Sequence, residues 1–389
     1  MSVERPDPIR VAMVGYGYWG PNIVRNLIER PEFELVGLCE RDEERVNSFA
    51  LRNPGVWVGH EIESLLEDPV VEAISIATPP KTHYELVKAA LEAGKHVLVE
   101  KPLATTEADA RELIGIAEER GLTLMPGHTF LYSPPVMKVR ELIDEGVLGE
   151  IYFVTSSRMN LGIYQADGVI CDLAPHDLSI LLYWLDQPVV QVTATGRSVF
   201  QRGIPETAFL TVTFAGGASA NVQISWLAPR KVRQTVVVGS KQMVQYEDTS
   251  ADEAVRIYDR GLDVRQPENF GEYRMTYRSG DMVAPRIEAH EPLALELEDF
   301  AHAIHTGEEP RSNARLGLEI VRVLEAAEES LANHGQPTVL GVDLDAPLRG
   351  GALGQPAPVG DGYEAPAVDN ESGGRAFSRW LGRREEGAA

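Results

Sequence analysis

Gly15-Tyr16-Gly17-Tyr18-Trp19-Gly20 stands between the apolar run Ile9 to Val14 and a helical pattern that Pro21 opens. A strand that runs through closely spaced glycines into a helix is a layout suited to a dinucleotide pyrophosphate. Gly15 permits the tight turn, Gly17 lets phosphate approach the backbone, and Gly20 lets helix and strand pack closely. The helix N-terminus supplies unpaired N–H groups and a partial positive charge, and a proline in the first turn has no N–H to lose. Tyr18 and Trp19 fill the variable positions of the loop and join the candidate cofactor contacts. The flanking strand and helix carry this reading, because the glycine pattern alone also occurs in ligand-free turns.

A second strand, Glu34 to Cys39, leads to Glu40, 20 residues beyond Gly20. A carboxylate there accepts hydrogen bonds from ribose hydroxyls and repels a 2′-phosphate, which favours NAD over NADP. Arg41 opposes this, since a guanidinium can pair with that phosphate or stack on adenine. The cofactor reading is therefore NAD, with an ordinary strand-end acid as the alternative for Glu40. Further along, helices over Pro21–Arg30, Asp42–Leu51, Ile62–Leu66, His83–Ala93 and Thr106–Glu119 alternate with apolar strands at Val56–Val58, Val71–Ala77, His96–Val99 and Leu122–Met125. Such alternation describes an α/β fold with a doubly wound parallel sheet over residues 1–126.

After Pro126 the pattern changes. Helices are expected at Pro135–Glu145 and Leu173–Leu185, among strand-like runs at Ile151–Met159, Val189–Thr195, Thr207–Phe214, Ala218–Trp226 and Lys231–Gly239. Ala215-Gly216-Gly217 suggests a hairpin. Arg256–Tyr258 is a weak strand candidate, Asp263–Ala289 has no clear period, and Glu291–His305 and Ala314–Ala332 read as helices. Residues 127–341 thus read as an α+β domain on a large open antiparallel sheet, whose uncovered face is a candidate surface for a homo-dimer or homo-tetramer. Residues 342–389 turn to Gly, Pro, Ala and acid and read as a disordered tail. Within it, Phe377 and Trp380 stand among arginines, either as a short docking helix or as an unstructured end.

The formal charge of −23 argues against nucleic acid as a partner. Two cysteines far apart, Cys39 and Cys171, indicate neither a disulfide framework nor a metal motif, so no metal site is expected. No apolar run suits a membrane span and the first strand begins almost at once, so the expectation is a soluble, cytoplasmic protein.

Three further segments carry candidate chemistry. Thr78 and Pro79 follow a strand, where ligands of open α/β sheets lie, and His83 follows as either a cofactor neighbour or a packing residue. Glu100-Lys101-Pro102 holds the same place after the next strand. Its lysine could stabilise a substrate alkoxide, or the tripeptide could be a solvated loop. In Asp172-Leu173-Ala174-Pro175-His176-Asp177, Asp172 and His176 share a helical face at i, i+4. Proline tolerates only a first turn, so the helix is expected to start near Leu173. His176 is the general acid–base candidate, with a packing histidine as its alternative. Asp172 either orients it or is an N-cap, and Asp177 reads as an exposed or capping acid.

With these motifs in order, the chain over about residues 8–335 resembles the Gfo/Idh/MocA oxidoreductase family. The resemblance implies a Rossmann domain followed by an α/β domain with an open sheet that supports dimers or tetramers. It implies Lys101 and His176 beside the nicotinamide, Asp172 assisting, and hydride transfer between a sugar or polyol carbon and NAD(P). Gly17 to Asn22, Gly127 to Tyr132, Arg158 to Gly162 and Asp172 to Asp177 are similar to the nucleotide-sugar branch, the UDP-N-acetylglucosaminuronate 3-dehydrogenase-like proteins. That likeness implies Arg158 and Asn160 as substrate contacts, Arg158 through a bidentate fork to a carboxylate or hydroxyls. Cys171 departs from the large aromatic expected there. The expected activity is oxidation of a sugar carbinol, such as C3 of a UDP-hexuronate. The alternatives are an inositol or monosaccharide dehydrogenase, an NAD-dependent glycosidase, and a non-catalytic dinucleotide-binding regulator.

Overall fold

The computed structural model describes residues 6–162, 167–265 and 274–341. In the first part, strands and helices alternate: β1 (Ile9–Val14), α1 (Gly20–Glu29), β2 (Phe33–Cys39), α2 (Glu43–Arg52), β3 (Trp57–Gly59), α3 (Glu63–Leu66), β4 (Ala73–Ile76), α4 (His83–Glu92), β5 (His96–Glu100), α5 (Glu107–Arg120) and β6 (Leu124–Gly127). The strands form one parallel sheet of order β3-β2-β1-β4-β5-β6, the doubly wound sheet expected. The order reverses between β1 and β4, which opens a crevice at their carboxyl ends. Both strands are buried almost throughout, as central strands covered on two faces must be. Local chemistry sets the helix ends. Asp42 accepts the Arg45 N–H at the start of α2, Thr106 accepts the Asp109 N–H at the start of α5, and Gly121 at φ 64° closes α5. Cys39 packs into this core, where burial pushes its thiol up to about 11.

The second part comprises α6 (Pro134–Asp144), β7 (Ile151–Met159), α7 (Gly168–Leu185), β8 (Val189–Arg197), β9 (Thr207–Phe214), β10 (Ser219–Ser225), β11 (Val232–Gly239), β12 (Met243–Glu247), β13 (Val255–Arg265), β14 (Arg274–Val283), α8 (Pro292–Thr306), α9 (Ala314–Ala332) and β15 (Thr338–Val339). Its nine strands make an open sheet of order β14-β13-β12-β11-β7-β10-β9-β8-β15. All its pairs are antiparallel except β7 with β10, so the sheet is mixed. The Ala215–Gly217 hairpin joins β9 to β10, with Gly217 at φ 91°.

Period-two burial puts Val154, Ser156 and Arg158 of β7, and Val222 and Ile224 of β10, on the face beneath α7 and α9. The other face of β9, β10, β7 and β11 carries Phe153, Thr155, Ser157, Phe209, Thr211, Asn221, Gln223, Val236 and Val238, with no charged side chain among those described residues. Helix α8 returns to the parallel sheet, where Phe300 stacks on Phe33 at 6.4 Å, Glu291 pairs with Arg25, and Glu298 pairs with Arg30. Helix α9 packs against both α5 and β8. One buried apolar cluster therefore runs from Met13 and Leu38 through Phe300 to Trp184 and Val222.

Two expected elements are corrected here. Helix α7 begins at Gly168 rather than near Leu173, with Pro175 inside it. Burial of Val169, Ile170 and Ala174 in the core offsets the proline's lost hydrogen bond. Strands β12 and β15 carried no prior assignment, and β13 and β14 extend well past Arg256–Tyr258 into the segment without a clear period. The expected tail, including Phe377 and Trp380, lies outside the described residues.

Candidate active site

The glycine loop is locked from below and open above. Gly15 sits at φ 92°, and a Cβ there would lie 2.6 Å from the Ala77 carbonyl oxygen and 2.8 Å from Thr78 Cγ2. A Cβ on Gly20 would lie 2.6 Å from the Gly15 carbonyl oxygen, so the start of α1 abuts the turn directly. A Cβ on Gly17 would meet only Arg45 Nη1 among the described residues, at 3.8 Å, which leaves its backbone approachable. Bare backbone at Gly17 beside the first turn of α1 fits a dinucleotide phosphate. Tyr18 is exposed, and Trp19 hydrogen-bonds the Glu100 carboxylate. Glu40 is turned inward, accepting the Tyr16 N–H at 2.6 Å and the Asp42 N–H at 3.0 Å, with Arg45 Nη1 at 3.7 Å. It braces the loop from the end of β2, while Arg41 is exposed.

Beyond β4, Thr82 Oγ1 donates to Thr78 Oγ1 at 2.7 Å, and Pro79 is extended. His83 is fully buried, with Nδ1 2.7 Å from the Pro102 carbonyl and Nε2 2.9 Å from the Thr78 carbonyl. It ties the turns after β4 and β5 together. Burial holds it below the usual histidine range, so the ring donates to one carbonyl at a time. Burial also pushes the Glu100 carboxyl up to about 7. Glu296 of α8 is buried, accepts from Thr129 Oγ1 at 2.8 Å, and is raised well above the usual carboxyl range by burial and then by Glu100.

Lys101, joined to Pro102 by a cis peptide bond, reaches from β5 to α7. Its Nζ lies 2.8 Å from the Asp172 main-chain oxygen and 3.6 Å from Oδ1 of the same residue. Pro175 lacks the N–H that would bond the Cys171 carbonyl, and the carbonyl next in line takes the lysine. Asp172 stands inside the helix, which removes the N-cap alternative, and its Oδ2 accepts from Trp226 Nε1 at 2.9 Å. His176, one turn on, packs edge-on against Phe130 with centroids 5.1 Å apart. Burial, followed by the charges of Lys101, Arg158 and Arg233, holds its imidazole well below the usual range. The ring is therefore neutral at pH 7, as a proton acceptor must be.

Arg158 faces this site from β7. Its Nε donates to Asp177 at 2.6 Å, its guanidinium lies 4.4 Å from the Phe130 ring centre, and its buried Nη1 has no hydrogen-bond partner among the described residues. Arg233, opposite it in register on β11, lies 5.5 Å from the same ring. Asp177 is only 3% exposed and also accepts from Ser156 Oγ, so the expectation of an exposed or capping acid is overturned. A buried arginine needs a counter-charge, and Asp177 supplies it. Asn160, beyond β7, is held through its N–H to the Ser225 carbonyl, and its buried Oδ1 has no partner among the described residues. The structure thus brings Lys101, Asp172, His176 and Arg158 close together through Trp226 and Phe130, with Asn160 near Trp226. His128 belongs there too and was missed. Its signal, a polar residue at the carboxyl end of β6, lay inside the stretch Gly127 to Tyr132. No group of three or more metal-ligating side chains that could hold an ion occurs among the described residues, and no helix among them is long and apolar enough to cross a membrane.

Two family profiles match the chain, an oxidoreductase family with an NAD-binding Rossmann fold over residues 9–128 and a GFO/IDH/MocA C-terminal domain over residues 136–245. A scyllo-inositol 2-dehydrogenase (NADP(+)) of Bacillus subtilis is 27% identical over 84% of this chain and 95% of its own. Among solved structures, UDP-N-acetylglucosamine 3-dehydrogenase GnnA from Acidithiobacillus ferrooxidans superposes with a TM-score of 0.71 at 23% identity, covering 84% of this chain and 98% of that one. GenD2 from gentamicin A biosynthesis, solved in complex with NAD, gives 0.73 at 24% identity over 87% and 97%. At those identities the two structures establish the likeness of fold.

Proposed function

The chain belongs to the Gfo/Idh/MocA family of oxidoreductases, and on that footing we propose an NAD-dependent dehydrogenase that oxidises a sugar carbinol, with a nucleotide-linked sugar such as a UDP-hexuronate oxidised at C3 as the best-supported substrate. As a family member it is an oxidoreductase acting on CH–OH groups with an NAD(P)-binding Rossmann sheet. The observation that carries the finer reading is the ammonium of Lys101, which leaves the cofactor sheet to meet Asp172 one helical turn from a neutral His176.

Lys101 Nζ hydrogen-bonds the carbinol oxygen and steadies the charge that develops as its proton leaves. His176 accepts that proton, and Asp172, anchored by Trp226, fixes the lysine. Gly15 to Gly20 and the start of α1 hold the dinucleotide phosphates, Thr78, Pro79 and Glu100 border the cofactor, and His83 braces the turns that carry them. Bound NAD serves as the hydride acceptor. Glu40 disfavours a 2′-phosphate by charge, which supports NAD over NADP despite Arg41. Arg158, with Nη1 unpaired, and Asn160 offer a donor and an acceptor to a carboxylate or hydroxyls of the sugar. The inositol dehydrogenase likeness spans nearly the whole relative and keeps free polyols as a second reading.

A screen for NADH absorbance against UDP-sugars, free sugars and inositols, with NAD and NADP in parallel, tests this. Lys101→Met and His176→Asn should each lower kcat by about a hundredfold or more on the best substrate. Near wild-type turnover in both variants refutes the assignment. Preference for NADP refutes the Glu40 argument alone, and bound NAD without NADH from any sugar favours the regulator.

A further inference from the structure

We infer that His128 is a substrate-binding residue of this site, its imidazole hydrogen-bonding the sugar hydroxyl adjacent to the carbinol that is oxidised. The inference rests on the sugar dehydrogenase reading and extends it to a residue no motif assigned.

Position comes first. Strands β5 and β6 are parallel, with Glu100 in register with Gly127. Lys101 and His128 are therefore each the first residue past a paired strand end, on neighbouring strands about 4.8 Å apart. Its backbone is fixed on both sides, the N–H to the Pro126 carbonyl at 2.9 Å and the carbonyl to the Leu131 N–H at 3.0 Å. Phe130, two residues on, packs against His176. The ring lies within electrostatic reach of both Lys101 and His176.

Satisfaction comes second. His128 is 1% exposed, and neither ring nitrogen has a hydrogen-bond partner among the described residues. Buried polar groups are nearly always paired, and a doubly orphaned imidazole is costly unless something else completes it. His83 makes the contrast, because it is equally buried at the same sheet edge and has a carbonyl beside each nitrogen. Nothing among the described residues uses the polarity of His128.

Chemistry comes third. Burial, and then Lys101, hold His128 down to about 3, so it stays uncharged at any working pH. An uncharged imidazole offers one donor and one acceptor, the complement of a hydroxyl. Lys101 is already a donor without acceptor capacity, and Arg158 Nη1 is another. His128 adds the acceptor that a vicinal hydroxyl needs while Lys101 engages the carbinol. A cofactor carboxamide has the same complement, but the two groups whose fields His128 shares are those that flank the carbinol.

The test uses the full chain and the sugar that gives the best wild-type NADH signal. His128→Phe keeps an aromatic ring and removes both polar atoms, whereas His128→Asn keeps a donor and an acceptor. NAD affinity, read by quenching of tryptophan fluorescence, should change less than about twofold in both, while kcat/KM for the sugar falls about 10- to 100-fold in His128→Phe, mainly through KM, and less in His128→Asn. The deoxy analogue lacking the neighbouring hydroxyl should lose a similar factor in wild type and nothing further in His128→Phe. Unchanged kcat/KM in His128→Phe overturns the inference alone. So does an equal loss of NAD affinity, which moves the residue to the cofactor, or full additivity with the deoxy sugar. No NADH from wild type with any sugar or inositol overturns the dehydrogenase reading and this inference with it.

Discussion

Asp177 follows His176 directly, yet the two do opposite work. One is a neutral ring facing the candidate reaction space, and the other is a buried carboxylate that holds Arg158 from below. Removing one member of a buried ion pair strands the other, so Asp177→Ala should lower stability by about 3–5 kcal/mol, measured by urea unfolding. A smaller loss than about 1 kcal/mol would mean that Arg158 finds another counter-charge. His128 predicts a pH signature. Unfolded, it titrates near 6.5, and folded at about 3. The unfolded chain binds more protons between those values, so the contribution to stability is full above pH 6.5 and shrinks as pH falls, by about 1.4 kcal/mol per unit. Glu100 has the opposite sign, since its folded value of about 7 lies above 4.5, and its contribution is lost as pH rises between them. The two oppose each other in wild type, so the clean measurement is a difference. The drop in Tm from pH 7 to pH 5 should be larger in wild type than in His128→Phe. Lys101, Asp172 and His176 stood out in sequence because Lys101 follows a strand and the other two share a helical face at i, i+4. Asp177 and His128 did not, because burial and pairing across 19 residues or more have no local signature.

Helix α7 shows where local rules yield to packing. Proline at an eighth helical position costs about 3 kcal/mol by propensity alone, and the spacing rule therefore starts the helix too late. Thirteen of its 18 residues are buried, which outweighs that cost. Strands β13 and β14 fail to show in sequence for a different reason. Where their side chains are described, Arg260 and Leu262 of β13 and Tyr277 of β14 are exposed, so no covered face imposes an apolar alternation there. Caps were easier to read. Asn313 accepts the Leu316 N–H at 2.8 Å at the start of α9, and it is 3% exposed. Asn313→Ala should cost about 1–2 kcal/mol. Thermal unfolding at constant pH checks this, and an unchanged midpoint would show that the end of α9 is held by packing alone.

At the scale of the molecule, the chain carries a formal charge of −23, yet the outer face of four central strands carries none. Like-charged surfaces repel, and an uncharged face with Phe153 and Phe209 half exposed is where two copies would meet at least cost. Light scattering after gel filtration should give a multiple of 42.7 kDa, and Phe209→Asp with Thr211→Arg should return it to one chain. A single-chain mass in wild type refutes this. The fold class was readable because the glycine loop and the switch in hydrophobic period announce two kinds of sheet. The order of strands in the second sheet was not, since β7 and β10 pair in parallel across 60 residues. The contact of Lys101 with α7 has a consequence for how such a molecule can change. Its nearer acceptor is a main-chain oxygen, at 2.8 Å against 3.6 Å for the carboxylate. Every amino acid brings that oxygen, so a substitution at position 172 removes the longer contact to the lysine and keeps the nearer one. The link between the strand end and α7 is therefore written into the main chain as well as into the side chain at 172.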